Sequence, residues 1–219
     1  MAIIAGGLGT RLRPVTGTAP KALAPFAGGT LLSHLLERVA PLNPARVVLL
    51  AGYEASTLRA CAPAGVEVIA EPSPLGTAGA LAQLPPEPRT WLSLNVDHVS
   101  DLDLRALLAA HDGRATAVTT TVEHEIPQGV VQVQAGRLQS WQERPRLSLQ
   151  VTVGAYVFDR AALAQVLHGQ RMDMPELISA LAPVQAFHHG GRWFDAGTPQ
   201  RLAAAEVWYQ AQRSPSPAT

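Results

Sequence analysis

The chain has 219 residues, 47% of them hydrophobic, and a formal net charge of zero, enough apolar material for one well-buried domain or two tightly fused halves. The balanced charge speaks against wholesale binding to nucleic acid or an anionic membrane, and a single cysteine, Cys61, excludes an intramolecular disulfide and a cysteine metal cluster. No apolar run reaches transmembrane length and no secretion signal is legible at the start, so a cytoplasmic location is the expectation.

Ala2 to Ala5 is an apolar run of the right length for a buried strand. It breaks into Gly6, Gly7 and Gly9, a backbone whose N–H groups carry no side chains over them, which is the chemistry of a phosphate cradle. Thr10 follows, then Arg11 and Arg13, guanidinium groups suited to bidentate phosphate contact. Lys21 is the only lysine in a chain that otherwise writes arginine, which points to a place where a compact ammonium is needed. The glycines fit neither the phosphate loop of common ATPases, since no Gly-Lys occurs, nor the dinucleotide fingerprint, since Leu12 stands where its third glycine belongs.

Leucines at helical spacing then predict a helix over 30–42 with Thr30 as its cap, and a buried strand follows at 46–51. A short helix at 54–61 and a strand at 66–70 complete an alternation that argues a parallel α/β sheet, with ligands at the carboxyl ends of the strands. Cys61, in an Ala-rich stretch, reads as inert core. The loop from Glu71 through Gly76 and Thr77 leaves such a strand end and enters a helix near Thr77. Residues 90–96 read as a strand ending at Asp97, an acid placed to face the crevice where a divalent ion would sit. Asp101 and Asp103 read as helix-start acids.

The second half changes character. A β-branched strand over 115–122 precedes two strands, from Gly129 to Val133 and from Arg137 to Trp141, around a turn at Gln134-Ala135-Gly136. Glu143-Arg144-Pro145 leads into a strand at 150–158. Helices are expected at 160–168 and 174–182, then, after a strand end at His188 and His189, a last helix to about Gln212, with Thr198 able to cap it. The Ser/Pro tail at 214–219 is expected to be disordered.

The opening stretch resembles the signature of the sugar-phosphate nucleotidyltransferases, matching at Gly6, Gly7, Gly9, Thr10, Arg11, Leu12, Pro14, Thr16, Pro20, Lys21 and Pro25, and the chain resembles their mannose- and heptose-1-phosphate guanylyltransferases. The resemblance runs over about 1–210. It implies a Rossmann-like, mostly parallel mixed α/β sheet flanked by helices, with a small β-rich sugar-binding insertion. One domain over 1–213 is expected, its nucleotide-binding half at about 1–100 and its sugar-binding half at about 101–213. Gly6, Gly7, Gly9, Thr10, Glu71, Gly76 and Thr77 would bind the nucleotide, and Arg11 and Lys21 would be catalytic. Gly129, Glu143, Arg144 and Thr152 would bind the sugar phosphate, and Asp97 with Asp195, from Trp193-Phe194-Asp195-Ala196-Gly197-Thr198-Pro199, would hold Mg2+.

The implied reaction joins a nucleoside triphosphate to a sugar-1-phosphate, releasing pyrophosphate, with no nucleic acid or membrane partner and with a homo-oligomer left open. Glu71 stands where uridine- and thymidine-type members often have Gln. A carboxylate only accepts hydrogen bonds, and guanine offers two adjacent donors, so Glu71 favours GTP if it faces the base rather than solvent. Two departures keep alternatives open: Val96 replaces a family glycine, and Thr152-Val153-Gly154 replaces Asn-Ala-Gly. The alternatives are uridylyl, thymidylyl or cytidylyl transfer, or a catalytically silent relative that binds nucleotide sugars.

Overall fold

The apolar runs come together as neighbouring strands of one sheet. In the computed structural model, which describes residues 1–213, the order starts with β1 (Ala2–Ile4), α1 (Arg13–Thr16), the small hairpin β2 (Pro25–Phe26) and β3 (Gly29–Thr30), and α2 (Leu31–Val39). It continues through β4 (Val47–Ala51), α3 (Ala55–Cys61), β5 (Val66–Ala70), α4 (Gly76–Gly79), β6 (Thr90–Asn95), β7 (His98–Ser100) and α5 (Leu104–Ala110). The second half adds β8 (Ala115–Glu125), β9 (Val130–Gln134), β10 (Arg137–Gln142), β11 (Arg146–Asp159), α6 (Arg160–Leu163), α7 (Met174–Leu181), β12 (Gln185–His188), β13 (Trp193–Asp195) and α8 (Pro199–Arg213). The tail expected to be disordered lies outside the described residues.

Seven strands form the sheet in the order β12-β8-β11-β6-β1-β4-β5. Only β11 runs antiparallel to its neighbours, so the mostly parallel mixed sheet of the expectation is what the chain builds. Strand residues alternate between two apolar layers. Ile3, Leu49, Leu94 and Val157 pack under α2 and α5, while Ile4, Leu50, Trp91 and Phe158 pack under α6 and α7. A third cluster, with Leu12, Phe26, Leu31, Val99 and Leu202, seats α8 against the glycine-rich opening. No described helix is long and apolar enough to cross a membrane.

Several elements are shorter than periodicity suggests. α2 stops at Val39 because Pro41 enters a tighter turn over Ala40–Leu42. Beyond α6 the chain tightens into i→i+3 bonds, Gln165 N–H to Ala162 O and Val166 N–H to Leu163 O, so the helix expected to 168 ends at Leu163. Cys61 is exposed, not core: it ends α3, in which Leu58 alone is buried. Asp103 does cap α5, accepting from the N–H groups of Arg105 and Ala106, both at 2.9 Å. Asp101 instead accepts from Arg192 N–H at 2.8 Å and pins the loop before β13.

The excursion between β8 and β11 projects from the sheet. β9 and β10 pair only with each other, through Ala135 and Gly136 at φ 49° and 72°, a doubly left-handed turn matched to strand twist.

Among the described residues three histidines are buried, His34, His98 and His189. Burial holds the His98 ring down at about 4, and its two nitrogens are hydrogen-bonded. His34 on α2 lies 4.9 Å from the Phe26 ring and 4.4 Å from that of Tyr209, and neither of its nitrogens has a partner among the described residues. Burial first, then Arg38 and Arg213, lowers its pKa from 6.5 to about 4. The unfolded chain therefore takes up this proton first, and stability present above pH 6.5 is lost as the pH falls toward 4. His34→Leu should raise stability at pH 7 by on the order of 1 kcal/mol, because orphaned polar atoms leave the core. It should also reduce the loss between pH 6.5 and 5 in urea titrations; a variant less stable than the parent at both pH values would contradict this.

Candidate active site

β1 and β6 lie side by side and parallel, with Ile4 opposite Asn95, so the chain leaves both strands at the same edge. From β1 it enters the glycine loop, and from β6 it reaches Val96 and Asp97. Lys21, in a short turn after Pro20, runs along that loop: a Cβ built on Gly9 would stand 3.2 Å from Lys21 Cβ. Its Nζ ends 2.9 Å from Asp97 Oδ2, with only 17% and 11% of the two side chains exposed.

A second pairing delivers the other acid. β13 runs antiparallel to β7, setting Asp195 opposite His98, and Ala196 N–H donates to Asp97 O at 2.9 Å. A Cβ on Gly197 would lie 2.8 Å from Asp195 Oδ1, 3.2 Å from Arg11 Nη2 and 3.4 Å from Asp97 Oδ2, so these three charged groups converge on the space glycine leaves. Asp195 is oriented by Gly197 N–H at 3.0 Å and Arg201 Nη1 at 2.8 Å. Thr198 Oγ1 accepts from Arg201 N–H at 3.3 Å, as the reading of Thr198 as a cap requires. No cluster of three or more Asp, Glu, His or Cys suited to a metal occurs among the described residues.

Three cavities follow this edge. The first, about 470 Å³, is lined by Gly6, Gly7, Leu8, Glu71, Pro72, Pro74, Gly76 and Thr77, with Arg171 and Asp173 at its margin. The second, about 290 Å³, is walled by Gly7, Gly9, Thr10, Arg11, Lys21, Asp97 and Gly197. The third, about 350 Å³, is bounded by Arg11, Lys21, Asn95, Asp97, His98, Thr152, Gly154, Tyr156, Trp193 and Asp195. Gly7 and Leu8 belong to the first two, and Arg11, Lys21 and Asp97 to the last two, so the cavities run as one crevice with its charges at the middle.

Glu71 reaches under the loop. A Cβ on Gly6 would lie 2.0 Å from its Oε1, so a side chain there would displace the carboxyl end of Glu71, and its Oε2 accepts from Leu75 N–H at 3.1 Å. Burial raises its pKa above the usual carboxylate range, against the lowering effect of the Leu75 bond. The Glu71 carboxyl thus lines the first cavity. Thr77 lies there too, its N–H donating to Asp173 Oδ1 at 3.2 Å and its hydroxyl accepting from Met174 N–H at 2.8 Å.

Of the four residues expected at the sugar phosphate, only Thr152 lines these cavities. Gly129 packs under Trp141, whose Nε1–H donates to Glu143 Oε2 at 2.9 Å, and Arg144 is exposed beside Glu143; all three sit on the projecting lobe. Asn95, His98, Arg171, Asp173 and Trp193 also line the crevice, beyond the residues expected to bind or react. Adjacency to Asp97 is the sequence signal for Asn95 and His98; Arg171 and Asp173 come from a distant segment and carry no local signal.

A family model described as nucleotidyl transferase matches residues 1–212. A mannose-1-phosphate guanylyltransferase catalytic subunit beta from Drosophila pseudoobscura pseudoobscura is 32% identical over 227 residues, covering 94% of this chain and 61% of that protein. A mannose-1-phosphate guanylyltransferase from Mycobacterium tuberculosis is 29% identical over 238 residues, covering 99% of this chain and 66% of that one. The chain thus spans less than two thirds of these relatives' length. The crystal structure of HddC from Yersinia pseudotuberculosis complexed with GMP-PN superposes with a TM-score of 0.70 at 23% identity, covering 95% of this chain and 98% of that one. A putative glucose-1-phosphate thymidylyltransferase from Bacillus anthracis reaches 0.75 at 17% identity, covering 99% and 96%. These two likenesses show a shared fold.

The geometry makes Gly6 a sharp test of the first cavity. Gly6→Ala should push the Glu71 carboxyl aside at little cost to the fold and abolish the rise in thermal midpoint given by a nucleoside triphosphate. An unchanged rise would mean that nucleotide does not meet this loop.

Proposed function

From membership of the nucleotidyl transferase family, to which this chain belongs by the match over residues 1–212, we propose that it transfers a nucleotidyl group to a sugar-1-phosphate. The triphosphate of this reading is GTP and the acceptor mannose- or heptose-1-phosphate. The observation that carries the reading is the continuous crevice whose central compartment holds Arg11, Lys21 and Asp97.

The base sits in the first compartment, where the Glu71 carboxylate accepts from the ring N–H and amino group of guanine. The names of the mannose-1-phosphate guanylyltransferase relatives favour the same base. The triphosphate lies over the N–H groups of Gly6 to Thr10. The sugar phosphate occupies the third compartment, among Asn95, Thr152, Tyr156 and Trp193.

An oxygen of the sugar phosphate attacks the α-phosphorus. The bond from that phosphorus to the β-phosphate oxygen breaks, and its electron pair leaves with pyrophosphate. The attacking oxygen is already anionic, so no protein base is required. Catalysis is alignment of two anions together with neutralisation of charge on the leaving group by Arg11 and Lys21.

The donor set near Gly197 fits a hard divalent ion. Asp97 and Asp195 are oxygen ligands converging on a space without side chains, and two protein carboxylates completed by phosphate and water are ordinary for magnesium. Bound there, Mg2+ would supply Lewis-acid stabilisation of phosphate charge.

Lys21→Ala should lower kcat by about 10²- to 10³-fold, read as pyrophosphate release in the presence of GTP, Mg2+ and mannose-1-phosphate. Turnover close to the parent's would remove Lys21 from the reaction. Glu71 carries a separate, pH-resolved test. Its raised pKa means that the carboxylate, and with it affinity for GTP, is lost as acid is added, starting at a higher pH than for an ordinary glutamate. Glu71→Gln should flatten that pH dependence and weaken GTP relative to UTP; an unaltered GTP-to-UTP ratio would overturn the base assignment while leaving the reaction class intact.

A further inference from the structure

The third compartment is shaped by an irregularity in β11, and we propose that His98 is the positioning residue that holds this irregularity in the form a sugar phosphate meets. The inference rests on the reading of that compartment as the acceptor site.

Between the pairs Thr152–Thr119 and Tyr156–Ala117, three residues of β11 stand opposite Val118 alone. The extra residues arch away from β8. Gly154, at φ +71°, makes the arch possible: a Cβ there would lie 2.5 Å from Asn95 Nδ2. Thr152 and Gly154 face the compartment on either side of Val153, whose own side chain is buried in the core.

The arch is caught by one ring. His98 Nδ1 lies 2.7 Å from Val153 O, and a carbonyl only accepts, so Nδ1 carries the hydrogen. Nε2 of the neutral ring must then accept, and Ser100 Oγ stands 2.7 Å from it. Ser100 Oγ in turn receives Arg38 Nη1 at 3.1 Å and Leu102 N–H at 3.2 Å, both of which only donate. Its single hydrogen is therefore committed to His98. Arg38 is anchored by the carbonyls of Ser100 and Leu102. The direction of every bond from α2 to the arch is thus determined, and the ring that closes the series adjoins Asp97 in sequence. His98 sets the spacing between Asp97 on one wall and Thr152 on the other without itself reacting.

The test is steady-state pyrophosphate release by wild type, His98→Phe, His98→Asn and Ser100→Ala, with GTP and whichever of mannose-1-phosphate, heptose-1-phosphate or glucose-1-phosphate the wild type uses. Phe keeps a ring but neither bond; Asn restores a donor where Nδ1 stood. With each buried bond contributing modestly, His98→Phe should raise KM for the sugar-1-phosphate by about tenfold and move KM for GTP by less than about twofold. His98→Asn should recover most of that loss, and Ser100→Ala, which keeps the Val153 bond but frees the ring, should fall between. Thermal midpoints taken alongside show whether each variant is folded, and Ser100→Ala carries the test if His98→Phe is not. A rise in both KM values together, a fall in kcat alone, or an Asn variant no better than Phe would overturn the proposal. Wild type that releases no pyrophosphate with any of the three sugar phosphates would defeat the parent reading, and this inference with it, in an arm that involves no variant.

Discussion

The ion pair between Lys21 and Asp97 is the contact on which the rest of the crevice depends. An ammonium and a carboxylate 2.9 Å apart, both mostly withdrawn from water, are tolerable only because each neutralises the other. For them to meet, β1 and β6 must be adjacent and parallel, so that the loop after one and the acid after the other leave the same edge. The loop must also be bare. Lys21 packs along Gly7 and Gly9, and a Cβ on Gly9 would crowd it at 3.2 Å. The glycines therefore serve two ends: they expose backbone donors, and they let one long cationic side chain lie beneath the anion those donors would hold.

The opposite wall is built by different means. Asp195 comes from nearly a hundred residues beyond Asp97, yet a three-residue pairing of β13 with β7 and one backbone bond from Ala196 to Asp97 set them around the same glycine. That arrangement leans on α8, since Arg201 from its first turns holds the outer oxygen of Asp195. α8 in turn is seated by Leu202 and Ala205 on the cluster containing Leu12, which ends the glycine loop. The last helix and the first loop thus stabilise one another across the site.

Much of this was legible because it is local. A strand, a run of glycines and a cation within two dozen residues form a pattern that needs no knowledge of distant contacts. An acid at the end of an apolar run is similarly self-announcing, and so is the hairpin turn at Ala135-Gly136. What escaped is made by packing between segments far apart. His98 meets Val153 across 55 residues, and Asp173 meets Thr77 across 96. Neither His98 nor Asp173 carries a local signature of its role. The lobe shows the opposite limit. Glu143 and Arg144 stand in a recognisable order, but order along a chain does not say where a β-hairpin swings, and β9 and β10 pair with each other alone.

Charge in the middle of the crevice ties these parts to the proposed chemistry. Arg11, Lys21 and Arg201 face Asp97 and Asp195, three positive groups against two negative, a surplus of one. Lys21 and Arg201 partner the two carboxylates, so neither acid is an unpaired anion. A triphosphate brings several negative charges, and a divalent ion offsets part of them. In the proposed reaction Asp97 and Asp195 would hold that ion, and Lys21 and Arg201 would stand beside the phosphates. That placement would set both cations where pyrophosphate develops charge in the proposed reaction. At Asp97 the cation is the lone lysine, a point charge on a flexible stem suited to changing partners over a short distance.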